Sequence, residues 1–284
     1  MKTYFKTFEG ESIDIDKLFA FLEEHYRHPI PTDKLKTRTT EFNYNAILYS
    51  KEYLKWFFSN AGILGVIEND KQWLSVVCLG DFTLRYDNKQ GAIFCSGPLC
   101  VHKRYTFTGL AQKVVKQTIA YSKSKYQIPV FGAAGGGLKL ETASKKILFK
   151  RFGMFFSTEL KTPKKKCFSS NNLYLCDDSD FLKKFRTEHG FAYYYPKEVI
   201  YEGNKEKWLV IPSYFTKSCW KTLIYECFQG LKNNFDRILI FENIERKRED
   251  LYEIGFENYS SYNLYLDYSP QTPRYFLYFN LFLY

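Results

Sequence analysis

The order of periodic segments is the feature that most limits what this 284-residue chain can fold into. A strand, an amphipathic helix, a second strand and a second helix follow one another, and the same order returns in weaker form after residue 167. The predicted helices of the two sets are at 108–124 and 143–152, then 218–231 and 244–253; the strands are at 92–101 and 129–132, then 207–212 and 237–241. Each set ends in glycine and an apolar residue, Gly153-Met154 and Gly255-Phe256, as expected where a glycine ends a helix. We interpret the pattern as a tandem duplication of one α/β unit.

A basic linker predicts where the two units meet. Pro163 and the three lysines that follow it, within residues 162–166, interrupt the periodic pattern. We therefore expect one half at 1–162 and a second half at 167–284. The other predicted elements are helices at 14–26 and 51–58 (the second capped by Ser50) and strands at 64–68, 73–79, 262–268 and 275–284, of which the last is expected to be buried.

Composition excludes several classes of protein. Hydrophobic residues make up 45% of the chain, so it can bury a large core, yet no apolar stretch reaches the length of a membrane span. The N-terminus has no signal-peptide core, and we expect a cytoplasmic protein. The cysteines are odd in number, seven, and form no CxxC pair. They predict free thiols in a reducing compartment, and neither a disulfide framework nor a zinc site.

Charge and the remaining motifs narrow the possible partners. A net charge of +10 admits polyanionic partners, but no nucleic-acid-binding signature is present. The four histidines lack the spacing of metal ligands, so no metal is expected. The Gly135-Gly136-Gly137 run is not followed by the Lys-Ser/Thr of a phosphate-binding Walker loop. We interpret it as a place where a substrate can approach the backbone closely, and we expect a monomer.

Residues 96–111 carry the clearest chemical signal, because a predicted strand ends there, a short loop turns and a long helix begins. Amides in the loop and in the first helical turn lack intrahelical partners and point outward, and the helix dipole adds to their attraction for an anion. Gly109 allows a phosphate to approach the backbone. A single glycine at a helix start is common, so the junction alone could also be an ordinary strand–helix connection.

The wider sequence resembles the protein N-myristoyltransferases over about residues 12–156, and only faintly beyond. Leu99-Cys100-Val101-His102-Lys103 is similar to that family's Phe-Leu-Cys-Val-His-Lys segment. Residues 49–56 look like its Tyr-Ser-Pro-Glu-Phe-Leu-Leu-Trp, and Ile13-Asp14-Ile15 and Glu24-His25-Tyr26 fit its first strand and helix. The resemblance implies an α/β tandem GNAT (acyl-CoA N-acyltransferase) fold, with two mixed-sheet halves each flanked by helices.

The resemblance also implies a mechanism. Myristoyl-CoA would bind in the first half, and backbone amides before and at Leu99 would form an oxyanion hole for the thioester carbonyl. The C-terminal carboxylate, here on Tyr284, would accept a proton from the N-terminal glycine amine of a protein substrate. Burial among Phe and Leu would raise the pKa of that carboxylate and make it a better base. The implied acyl-CoA-binding residues are Leu99, Cys100, Val101, His102, Thr106, Phe107, Thr108, Gly109, Leu110 and Ala111, and the implied acceptor-binding residues are Gly97, Ala133, Gly135 and Gly136.

Four departures from the family pattern fall on chemistry and specificity. Pro98 replaces the family's Phe and has no N–H, so one oxyanion donor is absent. Gly97 and Ala133 replace the Asn and Thr that help to place the amine. Residues 106–109 replace a basic run before the helix. The basic segment at 27–31 stands where the family has an acidic run, which would repel the usual lysine-containing substrates.

Three hypotheses remain open from the sequence. The first is an active N-acyltransferase that uses a long-chain acyl-CoA on a peptide amine. The second is a catalytically inactive relative kept as a binding or structural protein, which the loss of the donor at Pro98 favours. The third is an acetyl-type GNAT enzyme with another amine substrate. His102, next to the junction, is expected to be structural or to face a phosphate rather than to act as a base.

Overall fold

The computed structural model describes residues 2–26, 46–47, 49–59, 62–86, 89–126, 130–135, 147–164, 174–175, 181–242 and 246–267. The helices are α1 (Ile15–His25), α2 (Lys51–Phe57), α3 (Leu110–Tyr126), α4 (Trp220–Leu231) and α5 (Arg248–Glu253). The strands are β1 (Tyr4–Glu9), β2 (Ala46–Ile47), β3 (Ile63–Glu68), β4 (Trp73–Tyr86), β5 (Lys89–Val101), β6 (Val130–Gly135), β7 (Ile147–Ser157), β8 (Tyr174–Leu175), β9 (Lys183–Thr187), β10 (Gly190–Tyr201), β11 (Asn204–Thr216), β12 (Arg237–Phe241) and β13 (Glu257–Asp267).

Within the described ranges, the strands join into one mixed sheet in the order β1-β3-β4-β5-β6-β13-β7-β12-β11-β10-β2, with β8 beside β4 and β9 beside β10. Two neighbouring pairs are parallel, β5 with β6 and β11 with β12. A parallel pair needs a crossover connection, and α3 and α4 provide it. The duplicated strand–helix–strand order predicted from the sequence is therefore confirmed, once in each half.

The two halves meet at the centre of the sheet by exchanging strands. The late strand β13 inserts between β6 and β7 of the first half, antiparallel to both. In turn β7 pairs with β12 of the second half. Because each half completes the other, a continuous sheet connects the two parallel units.

Helices cover both faces of this sheet. The largest core cluster lies under α1 and α2 and extends into the second half through Tyr195 and Trp208. Another cluster packs β10–β12 against α4, and smaller ones pack β3–β5 against α3. Side chains at the end of β5 therefore alternate between two environments: Leu99 packs in the cluster with α3, and Cys100 packs in the cluster with α1 and α2.

The helix starts follow local capping rules. The carboxylate of Asp14 accepts a hydrogen bond from the Lys17 amide at 3.0 Å, and Ser50 Oγ accepts one from the Tyr53 amide at 3.0 Å. Both are side-chain caps of amides that have no partner within the helix. The predicted cap at Ser50 is confirmed. The helix predicted at 14–26 is confirmed as α1. The resemblance, in contrast, assigned Ile13-Asp14-Ile15 to the family's first strand, which is wrong because these residues lie at the start of α1; the first strand is β1.

The predicted helix at 143–152 is also wrong where the structure describes it. Residues 147–157 form β7, which pairs with β13 on one edge and with β12 on the other. Gly153 lies inside this strand instead of ending a helix. The run is rich in aromatic and β-branched residues, and pairing on both edges overrides its weak helical period. Gly255, with φ of +94°, does follow the last helix, α5, in the left-handed conformation that favours glycine.

Other predictions hold with altered bounds. The strand at 237–241 is confirmed as β12, whereas α5 begins at Arg248 rather than at 244 and β13 begins at Glu257 rather than at 262. Besides β7, five strands had no counterpart in the predictions, namely β1, β2, β8, β9 and β10. The segment 275–284, including Tyr284, lies outside the described residues.

The cysteine prediction holds only in part. Cys78, Cys100 and Cys227 are buried free thiols. Cys219, directly before α4, is disulfide-bonded, so the prediction of free thiols throughout is wrong at this position. An odd cysteine count and the absence of CxxC give no information on a bond between residues far apart in the sequence. In the part of the chain that the structure describes, no helix combines the length and the apolar character needed to cross a membrane.

Candidate functional site

The predicted site lies where β5 and β6 separate. The two strands pair in parallel at Phe94–Val130 and Cys95–Phe131. Beyond this point β5 continues along β4, and β6 continues along β13, where Ala133 lies opposite Leu264. The described parts of β5 and β6 therefore diverge towards their carboxyl ends and leave a gap.

A β-bulge marks the point of divergence on β5. Ser96 lies opposite Leu79 and Leu99 opposite Val77, so Gly97 and Pro98 together face one residue of β4. Bulges bend a strand and increase its twist. They are also among the few places where a sheet accepts proline, which has no ladder hydrogen bond to donate. The buried Pro98 is thus accommodated by the fold.

The register between β4 and β5 determines the direction of the Leu99 amide. The His102 amide donates to the Leu74 carbonyl of β4 at 2.9 Å. In an antiparallel ladder, opposed pairs alternate between hydrogen-bonded and non-hydrogen-bonded types. His102 and Leu74 form a hydrogen-bonded pair, and Val77–Leu99 lies three pairs further along the ladder, so it is a non-hydrogen-bonded pair. The Leu99 N–H consequently points away from β4, into the gap between β5 and β6.

His102 shapes the turn that follows β5. Its ring Nδ1 accepts a hydrogen bond from the Arg104 amide at 3.2 Å, and its carbonyl accepts one from the Tyr105 amide at 2.8 Å. These bonds hold a single 3-10 turn, Lys103–Tyr105. His102 is 8% exposed and therefore takes a structural position in this turn, as the sequence predicted.

A second histidine packs on the first. The rings of His25 and His102 lie 4.1 Å apart between centroids, inclined by 37°. Burial lowers the pKa of His25, and the charge of a protonated His102 would lower it further. Both effects favour the neutral imidazole. The resemblance placed His25 at the end of the first helix, but no sequence pattern predicted its contact with His102.

The loop between this turn and α3 is open to solvent. Phe107 is fully exposed and has a φ of +67°, an uncommon conformation for a bulky side chain. Gly109, with φ of +79°, has no atom within 4 Å of the place a Cβ would occupy. Its carbonyl accepts the first helical hydrogen bond, from the Lys113 amide at 3.0 Å. Gly109 has no side chain to cap the amides of the first turn, so these remain available to an anion.

The electrostatics around the gap favour an anion and exclude a thiol nucleophile. Lys103 and Arg104 are exposed on the turn, and Lys103 Nζ lies 3.2 Å from Glu24 Oε1. Burial raises the pKa of Cys100 to about 12, so this thiol stays protonated near neutral pH.

The structure brings most of the predicted site residues together. Gly97 lies in the bulge, Leu99 to His102 end β5, and Thr106 to Ala111 form the loop and the start of α3. By register, Ala133 and Gly135 lie on β6 across the gap from this end of β5. Gly136 and Tyr284 lie outside the described residues.

Elsewhere, one group of side chains could hold a metal ion. Glu188, His189 and Glu226 each offer a ligand atom, all within 4.8 Å of one another. His189 Nε2 lies 3.2 Å from the first carboxylate and 3.4 Å from the second, and its Nδ1 lies 3.2 Å from Ser218 Oγ. This geometry also suits a protonated imidazole between two carboxylates, one of them 84% exposed. The sequence analysis missed the group because Glu226 is distant in the chain from Glu188 and His189.

A cavity of about 310 Å³ lies among the described residues away from the gap. Arg237, Lys161 and the backbone around Gly255 contribute to its walls, and none of the predicted site residues does. The guanidinium of Arg237 is bound by Glu206 at 2.7 Å. The cavity therefore gives no support to the predicted chemistry.

The two parallel strand–helix–strand units within one mixed sheet have the arrangement of a tandem GNAT fold. In structure the chain is similar to Saccharomyces cerevisiae N-myristoyltransferase with bound myristoyl-CoA. One yeast structure matches with a TM-score of 0.58 and 14% identity over 94% of this chain and 83% of the yeast chain. Another matches with a TM-score of 0.61 and 14% identity over 94% and 79%. No protein-family model and no curated protein sequence matches the chain. At 14% identity, the likeness to the yeast structures shows the fold alone.

Proposed function

We propose that this chain transfers a long-chain acyl group, such as myristoyl, from acyl-CoA to the N-terminal glycine amine of a protein. The observation that carries the proposal is the direction of the Leu99 amide, which points into the gap beside an uncapped helix start. A thioester carbonyl in this gap would meet a fixed hydrogen-bond donor. The pyrophosphate of CoA would meet the free amides at residues 109–111.

The fold match supports the identity of the donor molecule. The yeast structures that share this fold contain myristoyl-CoA. For this chain, about twelve buried methylenes at ~0.8 kcal/mol each would contribute on the order of 10 kcal/mol to binding before ordering costs. Thr106, Phe107 and Thr108 would line the nucleotide, and Cys100 to His102 the pantetheine.

The transfer requires one bond to form and one to break. The glycine amine attacks the thioester carbon, the C–S bond breaks, and the CoA thiolate leaves and is protonated. The Leu99 N–H stabilises the oxyanion of the tetrahedral intermediate. The proton of the attacking amine passes to a base, for which we propose the C-terminal carboxylate of Tyr284. Gly97, Ala133, Gly135 and Gly136 leave room for the acceptor backbone, because none carries a side chain larger than methyl.

Pro98 favours a second candidate function. It lies in the bulge next to Leu99 and supplies no N–H, and the loss of one oxyanion donor typically costs roughly 2.7–4 kcal/mol of barrier lowering. A protein that binds acyl-CoA without turnover would show this combination of an intact binding junction and a missing donor. An acetyl-type GNAT enzyme with another amine substrate is the third candidate.

The deciding experiment measures release of free CoA from myristoyl-CoA in the presence of glycine-initiated peptides. We expect release that depends on the peptide, exceeds release from acetyl-CoA, and disappears when one residue is added after Tyr284. Release that survives this extension contradicts the proposed base. If folded protein binds myristoyl-CoA in calorimetry without releasing CoA, the binding function is correct instead. A preference for acetyl-CoA supports the third candidate.

A further inference from the structure

A lysine lies in the core of the second half without a counter-ion among the described residues. Lys197 of β10 is 4% exposed and shares the buried face of its strand with Tyr195 and Val199. Among the described residues, its Nζ has neither a hydrogen-bond acceptor nor an ion-pair partner. Lysines are almost never fully buried unless they are paired, so this side chain requires an explanation.

Tyrosine rings enclose the amine. Its Nζ lies 4.2 Å from the ring centroid of Tyr49 and 4.4 Å from that of Tyr53. Cation–π contacts of this kind contribute up to about 2 kcal/mol, whereas the desolvation of an ammonium costs several kcal/mol. The cation–π contacts therefore do not offset the free-energy cost of burying a charged amine. Burial accordingly holds the pKa of Lys197 well below that of a free lysine. The titratable groups packed around the amine from β10, α2 and the segment before α2 are tyrosines, which are neutral near pH 7.

A row of contacts connects this amine to the gap beside Leu99. The ring of Tyr49 lies 5.2 Å from that of Tyr26. Tyr26 is hydrogen-bonded to Tyr49 and close enough to Cys100 for that thiol to affect its pKa. Cys100 follows Leu99 in β5. Tyr49, Tyr53 and Cys100 belong to one core cluster, so Lys197 faces the same cluster as the end of β5.

We propose that Lys197 binds a carboxylate side chain of the acceptor polypeptide, so that the preferred acceptors carry Asp or Glu in the segment that follows their N-terminal glycine. The inference rests on the proposed function and names the class of acceptor. A carboxylate would supply the missing counter-ion and allow the buried amine to take up a proton. For a carboxylate to reach the amine the Tyr49 ring would have to move aside; this residue lies before the Ser50 cap, outside α2. The net charge of +10 favours an acidic partner.

The test uses glycine-initiated peptides of Ala and Ser in which one Glu is moved from the second to the eighth position. For the wild-type protein we expect kcat/KM for myristoyl transfer to rise at least tenfold when Glu is at one of these positions and to stay near the value of the Glu-free peptide at the others. In Lys197→Met this ratio, Glu peptide over Glu-free peptide, should fall to near one. Lys205→Met is the matched control, because Lys205 is 64% exposed in the same hairpin; it should keep the ratio.

The outcomes separate this inference from the function on which it rests. Turnover without a positional preference for Glu, or a preference that survives in Lys197→Met, overturns the role of Lys197 and leaves the transferase intact. Thermal unfolding checks that Lys197→Met is folded; we expect its Tm to rise, because an unpaired buried amine is removed.

If no peptide releases CoA, the transferase fails, and calorimetry with the same peptides in two buffers of different ionisation enthalpy tests the site directly. Binding of the Glu peptide should then take up close to one proton, and Lys197→Met should abolish this uptake. Binding without proton uptake, or without preference for Glu, contradicts the proposed site.

Discussion

The two strand–helix–strand units of this protein have the same arrangement up to the point where their parallel strands diverge. They differ in the connection from that point to the helix. In the first, Gly97 and Pro98 face one residue of β4; in the second, Ile211 and Pro212 face one residue of β10. The parallel pairing ends at Cys95 in the first unit and at Val210 in the second, close to the bulge in both. Each unit thus has a proline-containing bulge and a gap beyond it.

The connections that follow differ in length and exposure. In the first-half junction, eight residues connect β5 to α3, at 102–109, and the loop is mostly exposed. In the second-half junction, three residues connect β11 to α4, at 217–219. There Trp220 and Lys221, the first two residues of the helix, are each 3% exposed. The first-half junction can therefore present amides to an anion, whereas the second is closed by packing and serves to join the halves.

The largest expected effect is on kcat, and it should distinguish the proline of the first bulge from that of the second. Pro98→Ala supplies a second N–H beside Leu99, and it should raise kcat for myristoyl transfer by roughly 100-fold, the usual worth of one oxyanion donor. Pro212→Ala is the matched control, and it should leave kcat unchanged because its junction is closed. Single-turnover kinetics measures both. Equal responses of the two variants would show that the chemistry does not take place at the first bulge.

The sequence predicted the strand–loop–helix junction at 96–111 better than it predicted the sheet around it. The strand–loop–helix order at 96–111 could be located because amphipathic helices and glycine-started turns are local signals. Residues 147–157 were predicted as a helix at their start because their pairing partners, β12 and β13, are about 80 to 120 positions away in the chain. Such pairing has no local signal. The missed strand β10 has a different cause, because its main partners β9 and β11 are its neighbours in the chain.

Missing β10 also hid Lys197. A lysine in a segment without an assigned period is expected at the surface, and only its strand position, alternating with Tyr195 and Val199, places it in the core. The contacts of His25 with His102 and of His189 with Glu226 were hidden for a related reason, since each joins different elements. Pro98, in contrast, was visible in the sequence, and the bulge explains how the sheet accommodates it.

The next largest effect is on the free energy of unfolding, and it concerns how closely each crossover helix packs. A Cβ at Gly65 of β3 would lie 1.7 Å from Thr118 Oγ1 of α3, a stiff, fully buried side chain. Gly65→Ala should therefore lower the free energy of unfolding by about 3 kcal/mol. At Gly230 of α4 the nearest atom, at 2.5 Å, belongs to the ring of Phe185, which can rotate.

Gly230→Ala should be close to neutral, because the gain in helix propensity of up to about 1 kcal/mol offsets the crowding. Urea unfolding measures both variants. A neutral Gly65→Ala would mean that α3 is loosely attached to β3, and the contrast between the two crossover helices would be lost.

A smaller loss of stability is expected when the ion pairs of Lys221 at the second-half junction are removed. Lys221 Nζ lies 2.7 Å from Asp250 Oδ1 and 2.7 Å from Glu253 Oε2. Burial lowers the pKa of Lys221, but the two carboxylates raise it more, so the net shift is upward. Lys221→Met should cost about 2 kcal/mol, less than for a fully buried pair because both carboxylates are about one-third exposed.

The sign of the pKa shift predicts how this loss depends on pH. Because the pKa is raised on folding, the stabilisation by Lys221 is fully present below the unfolded value of 10.5 and is lost as the pH rises through the higher folded value. The difference between wild type and Lys221→Met should stay constant from pH 6 to 9 and shrink only above pH 10.5. A difference that already shrinks below pH 9 would contradict the ion pairs as its source.

The smallest effects should come from two strained turn residues, one in each half. Phe107 in the open loop has a φ of +67°, and Glu202, before Gly203 in the β10–β11 turn, has a φ of +49°. Asparagine tolerates this conformation better than either residue, and Asn-Gly is a favoured hairpin turn. Phe107→Asn and Glu202→Asn should each raise the free energy of unfolding by up to about 1 kcal/mol. In calorimetry only Phe107→Asn should alter the affinity for CoA, since its loop alone is placed to meet the ligand; an equal change in Glu202→Asn would contradict the assignment of binding to the first-half junction.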